Sequence, residues 1–110
     1  MPSYLVQVAY TPEALSALIA NPQNRMEAIR KSIEKLGGKA GASWLSFGDY
    51  DSMTIVEMPD NVSAAAFALA IAAGGSLKAV KTTPLLSMEE ALSAMKKAGT
   101  SGYKPVGAKK

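Results

Sequence analysis

The chain has 110 residues, of which 48% are hydrophobic and 19% charged, a length and composition typical of one globular domain. It contains no Cys and no His, which excludes disulfides, thiolate nucleophiles, imidazole metal sites and Ser-His-Asp triads. No apolar run approaches the roughly 18 residues that cross a bilayer, and the first residues lack the pattern of a secretory signal. We therefore expect a cytoplasmic protein with no membrane-bound part.

The net charge of +3 comes entirely from the end of the chain. Residues 99–110 contain Lys104, Lys109 and Lys110 and no acidic residue, and the remainder has nine basic and nine acidic residues. The sequence thus predicts a domain over residues 1–98 and a flexible basic tail over residues 99–110. A neutral domain argues against a nucleic-acid partner, which would require a clustered basic face.

The first half of the chain reads as a strand followed by a broken helix. Residues 4–10 alternate with the period of two that predicts a strand. Thr11 and Pro12 are typical of a helix start, and Pro22 interrupts the helix that follows. The helical spacing resumes over residues 26–36 and ends at a glycine pair.

The second half predicts three more strands and two more helices. Strands are expected over residues 39–47, 51–58 and 76–86, with a tight turn between the first two. Pro59-Asp60-Asn61 predicts the start of a helix that is almost entirely apolar over residues 63–73, and a capping box opens a final helix over residues 87–98. This order predicts an α+β, ferredoxin-like β-α-β-β-α-β domain, with a four-stranded antiparallel sheet, helices on one face and an additional C-terminal helix.

The strands are apolar on both sides, and this predicts self-association. Leu5 lies opposite the Tyr/Val side of its strand, and Met53 and Ile55 alternate with Thr54 and Val56. Helices would cover only one of these faces, so the other would be a large exposed apolar patch. We expect a second protomer to cover it, in a homodimer or a larger ring.

Several motifs resemble the GYD domain family, and the resemblance covers about residues 3–96. These are Gly48-x-Tyr50-Asp51, Gly37-Gly38, Glu57-x-Pro59-Asp60, Pro22 with Arg25, and Thr82-Thr83. The resemblance implies a ferredoxin-like fold of the dimeric α/β-barrel type in a small cytoplasmic protein. It implies no reaction, because related barrels include monooxygenases, isomerases and stress-response proteins.

The candidate pocket residues are polar or aromatic side chains at unexpected places. Glu57 interrupts an apolar strand, where a buried carboxylate needs a partner, and Gln7 lies on the predicted neighbouring strand. Tyr50 and Asp51 follow the turn, where the structural interpretation is a capping carboxylate and a packed ring. The functional interpretation places both side chains at the mouth of a pocket. Trp44 and Thr82 complete the set; Trp44 is interpreted first as a core or interface residue.

Three functions remain open on this basis, and no cofactor or metal is predicted. The first is an oligomeric small-molecule-binding or stress-related protein that works without catalysis. The second is a cofactor-free isomerase or monooxygenase that uses carboxylate and Tyr side chains. The third is a structural or regulatory protein that binds a partner. A cavity lined by Glu57, Gln7 and Tyr50 would favour the first two.

Overall fold

The protein's helices and strands follow the predicted order, with the break at Pro22 dividing the first helical region into two helices. The computed structural model describes residues 1–107, so residues 108–110 of the predicted tail lie outside the described residues. The elements are β1 (Ser3–Tyr10), α1 (Pro12–Ala20), α2 (Met26–Lys35), β2 (Lys39–Leu45), β3 (Ser52–Glu57), α3 (Asn61–Ala73), β4 (Leu77–Leu85) and α4 (Met88–Gly99).

The four strands form one antiparallel sheet in the order β2-β3-β1-β4, which confirms the predicted ferredoxin-like α+β fold. The central strands β1 and β3 pair so that Tyr4 lies opposite Val56 and Leu5 opposite Ile55. Directly opposite residues of an antiparallel pair share a face. The register therefore fixes which side of the sheet each side chain occupies.

The core lies between one face of the sheet and the helices α2 and α3. It consists of Tyr4, Val6, Ile33, Val56, Met58, Ala64 and Phe67, all buried. Tyr4 also fastens β1 to the start of α3, because its hydroxyl donates a 2.5 Å hydrogen bond to Asn61 Oδ1. Burying these side chains is the main stabilising contribution of the fold.

The chain packs most tightly between α2 and β2. Gly37 has a φ of +86°. The chain then passes so close to β3 that a Cβ on Gly38 would meet the Glu57 carbonyl oxygen and would lie 2.6 Å from Met58 Sδ. Only glycine fits this crossing without displacement of backbone. The Gly37-Gly38 pair therefore ends α2 and allows β2 to begin in close contact with β3.

The predicted helix starts are confirmed by their capping contacts. Thr11 Oγ1 accepts a 3.1 Å hydrogen bond from the Ala14 amide at the start of α1. Ser87 and Glu90 form a reciprocal capping box at the start of α4. The strand ends differ slightly from prediction: β2 stops at Leu45 because the turn that follows is wider than expected.

Candidate functional site

The hairpin residue Asp51 links the β2–β3 turn to the end of β1. Its carboxylate Oδ2 accepts a 2.8 Å hydrogen bond from the Tyr10 amide, and its own amide donates a 2.8 Å bond to the Val8 carbonyl. Its carbonyl accepts a third 2.8 Å bond, from the Ser46 amide. The regular β1–β3 pairing ends opposite Val8, so the Asp51 carboxylate takes the place of a backbone acceptor for Tyr10.

The neighbouring residues of the hairpin complete the turn. Gly48 has a φ of +128°, a conformation that residues with a side chain rarely adopt. The Ser46 hydroxyl donates a 2.9 Å hydrogen bond to the Tyr50 carbonyl, and the Tyr50 side chain is half-buried. The contacts of Asp51 thus hold the hairpin against β1, and the Ser46–Tyr50 hydrogen bond closes the turn itself.

Gln7, Glu57 and Trp44 lie on the face of the sheet opposite the helices, but they are spread along it. Gln7 is opposite Met53, and Trp44 is opposite the same Met53 from the other side. Glu57 lies four residues further along β3 than Met53, a separation of about 13 Å. Its neighbours across the strands are Ser3 and Lys39.

Thr82 lies on the helix-covered face, because it is opposite Val6, a core residue. Its Oγ1 is buried and has no hydrogen-bond partner among residues 1–107. The structure therefore separates the six predicted pocket residues into three places: Gln7, Glu57 and Trp44 on one face, Thr82 on the other, and Tyr50 and Asp51 in the hairpin.

We call the side of the sheet opposite the helices the helix-free face. Its centre is apolar and consists of Leu5, Met53 and Ile55, which are half-buried, and Trp44, which is 54% exposed. Charged or polar residues lie around this centre: Gln7 is opposite Lys81 in the strand register on one side, and Lys39 is opposite Glu57 on another. An apolar centre with a polar rim is the usual composition of a protein–protein interface.

Helix α4 is a second exposed apolar surface. It makes only marginal contact with the other helices and strands, and every one of its residues except Ala91 is exposed. Met88, Leu92 and Met95 recur at helical spacing and are 78%, 58% and 65% exposed. With Ala91, they form what we call the α4 stripe.

The described part of the chain is elongated. The extents are 63 × 32 × 22 Å, and the radius of gyration is 17.9 Å, compared with about 13 Å for a compact domain of this length. A helix with an apolar side exposed in this way is typical of a segment that packs against another molecule.

A cavity of about 430 Å³ lies on the helix-covered side, between the sheet and the helices α1, α2 and α3. None of the six predicted pocket residues lines it. Its walls are mostly apolar, and its polar contributors are Tyr10, Gln23, Arg25, Ser52, Thr54 and Ser76. Of these, Thr54 already shares a 2.8 Å hydrogen bond with the Ser43 hydroxyl.

Arg25 and Gln23 are the site residues that sequence reasoning missed. In the sequence, Arg25 stands out only with Pro22 in the family resemblance; in the structure it is exposed and borders the cavity just before α2 begins. The sequence signal that could have identified these residues is the break at Pro22. It moves the chain off the helix axis and places residues 23–25 in the connection between α1 and α2. The spacing of apolar residues carries no such information.

Asp60, the N-cap of α3, has a shifted pKa. The Ser63 amide and the Ser63 hydroxyl, by hydrogen bonding to Asp60, lower the pKa of that carboxyl below its usual value. Within residues 1–107, no three acidic side chains form a group that would hold a metal ion. In the same range, no helix combines the length and apolar character that crossing a bilayer requires.

The fold and the hairpin define a ferredoxin-like α+β protein with a Gly-x-Tyr-Asp turn. Comparison with known proteins identifies the family: residues 4–95 match the GYD domain, and the chain belongs to the GYD domain family. A curated relative from Thermus thermophilus is named "Glutamine synthetase and cystathionine beta-lyase binding protein". It is 29% identical over 79 residues, which cover 71% of this chain and 82% of the relative.

Proposed function

We propose that the protein acts by binding another protein rather than by catalysis, with the α4 stripe as the contact. The observation that carries the proposal is the exposure of Met88, Leu92 and Met95 on a helix that the rest of the chain does not cover. An amphipathic helix of this kind is suited to a hydrophobic groove, where residues at helical spacing act as anchors. The family match reaches residue 95 and so includes most of α4.

The name of the relative supports this function and suggests which partners to test. That protein is named for binding glutamine synthetase and cystathionine beta-lyase. We propose that one of these two enzyme classes is also the partner of this chain. The dispersion of Glu57, Gln7, Tyr50 and Asp51 over separate places in the fold favours binding over the isomerase or monooxygenase alternative, which would require convergent polar groups.

We also propose that the protein is a homodimer in which the helix-free faces of two copies pack together, as in dimeric α/β-barrels. Four strands of this length make a face of about 20 × 25 Å, or roughly 500 Å² in projection. Because side chains roughen that face, its accessible area approaches the roughly 800 Å² per partner that a standard interface buries. α4 follows the edge strand β4, and the exposure of its stripe leaves it accessible to another protein.

The partner-binding proposal is tested with two variants that place the same charge on opposite sides of α4. Leu92→Glu puts a carboxylate in the α4 stripe, and Ser93→Glu puts one on the far side of the same helix turn. Binding of each purified variant to immobilised glutamine synthetase and cystathionine beta-lyase from the same organism is measured by biolayer interferometry. Because an unpaired charge is costly in an apolar contact, Leu92→Glu is expected to weaken binding at least about tenfold.

The wild type and Ser93→Glu are expected to bind one of the two enzymes with similar affinity. Binding of neither enzyme by the wild type would contradict the assigned partners. Binding of Leu92→Glu with wild-type affinity would contradict the α4 stripe as the contact.

A further inference from the structure

We propose that the cavity on the helix-covered side binds a small amphipathic carboxylate, with its apolar part between the sheet and the helices and its carboxylate on Arg25. The cavity volume of about 430 Å³ falls within the range of roughly 300–1,000 Å³ that is usual for small-molecule sites. This inference goes beyond the proposed partner binding. It concerns the opposite side of the sheet from the proposed dimer interface.

The space exists because α1 stands away from the sheet. None of the residues of α1 is buried, and the positions through which it lines the cavity include two small residues, Ala14 and Ala17. The sheet also presents small side chains below it, at Ser52 and Thr54. A helix that met the sheet through larger residues would fill this volume, as Phe67 of α3 does in the core.

The walls of the cavity are suited to an apolar ligand body. Val6 and Val8 line it from β1, Ile29 from α2, and Phe67 and Ile71 from α3. Contact with such side chains favours an aliphatic or aromatic group at about 25 cal/mol for each Å² removed from water. The cavity therefore combines apolar walls with a few polar side chains.

The charge of the cavity selects an anion. Among residues 1–107, Arg25 is the only charged residue that lines it. Within residues 1–107, no carboxylate forms an ion pair with the Arg25 guanidinium. A guanidinium offers two parallel donors in the geometry that a carboxylate accepts.

Two further polar residues line the cavity and could contribute to binding the carboxylate. Gln23 lines the cavity from the same connection as Arg25, and its Nε2, which donates a 3.4 Å hydrogen bond to the Asn21 carbonyl, carries a second N–H. Tyr10 lines it from the end of β1, where the Asp51 carboxylate holds its backbone amide. The hairpin thereby positions one wall of the cavity, although Asp51 itself does not line it.

Isothermal titration calorimetry with octanoate and 1-octanol, two probes with the same chain and different head groups, tests the proposal on the full-length protein. We expect saturable octanoate binding about tenfold tighter than that of 1-octanol, because a hydrogen bond to a charged group adds roughly that much. Arg25→Gln should reduce octanoate binding to the level of 1-octanol. Arg30→Gln, which removes an exposed Arg of α2 that does not line the cavity, should leave it unchanged.

A third variant, Ala14→Phe, fills the cavity and should weaken both probes. The proposal is overturned if the wild type prefers 1-octanol or does not discriminate, or if Arg25→Gln binds octanoate like the wild type. It is also overturned if a folded Ala14→Phe protein keeps wild-type affinity for both probes. If Ala14→Phe does not fold, the comparison of Arg25→Gln with Arg30→Gln decides the question.

Discussion

Replacement of Asp51 by Ala tests whether the hairpin carboxylate is structural. The substitution removes the acceptor for the Tyr10 amide, which lies 2.8 Å from Oδ2 in a partly buried position. A hydrogen bond to a charged group contributes about 1.5–3 kcal/mol, and partial exposure of Asp51 places the expected loss at the lower end, about 1–2 kcal/mol. In a domain of this size, such a loss lowers Tm by about 5–10 °C.

Two companion variants separate this contact from other effects. Asp51→Asn keeps a carbonyl oxygen that can accept from Tyr10, so we expect it to lose less than Asp51→Ala, about 0.5–1 kcal/mol. Asp49→Ala removes an exposed carboxylate from the same turn and should stay within about 0.5 kcal/mol of wild type.

Urea unfolding followed by far-ultraviolet circular dichroism gives the free energy of each variant. Protein concentration is held fixed, because self-association shifts apparent stability. If Asp51→Ala and Asp49→Ala have equal free energies of unfolding, the Asp51–Tyr10 contact does not stabilise the fold. A loss of ligand or partner binding at unchanged stability would instead give Asp51 a direct role in function.

Three further predictions concern stability. Gly38→Ala should destabilise the fold by about 1–3 kcal/mol, because the added Cβ would meet the backbone of β3. Gly99→Ala places its Cβ in open space and should not destabilise the fold, and thermal melts compare the two variants. Thr82→Val should stabilise by about 1 kcal/mol, because it removes a buried hydroxyl without a described partner, and an unfolding free energy below wild type would contradict this. Because its hydrogen bonds to Ser63 lower the pKa of Asp60, its contribution to stability is present above the usual carboxyl pKa and is lost as the pH falls further, through the lowered pKa. The stability advantage of wild type over Asp60→Ala should therefore shrink below about pH 4, and an advantage that is independent of pH would refute the assignment.

The element order and the faces of the sheet could be predicted because they depend on local patterns. Alternation in residues 4–10 assigned Tyr4 and Val6 to one face and Leu5 and Gln7 to the other, as the register confirms. Capping residues such as Thr11 and Asp60 located helix starts because their contacts lie within three residues.

The candidate site could be predicted only in part, because its contacts are long-range. The Asp51–Tyr10 bond joins residues 41 positions apart, and no local pattern indicates that a turn carboxylate will accept from another strand. The assignment of Thr82 to the same pocket as Gln7 required the register of β4, which alternation alone does not supply. The cavity beside Arg25 arises from how far α1 stands from the sheet, which is a property of packing rather than of sequence.

Sedimentation velocity of the full-length protein at micromolar concentration measures most directly whether a second copy covers the helix-free face. We predict a species of twice the 11.5 kDa chain mass for the wild type. Ile55→Glu, which places a charge at the centre of that face, should give a folded species of single-chain mass. A wild-type protein that sediments at 11.5 kDa across this range, with Ile55→Glu indistinguishable from it, would contradict the homodimer.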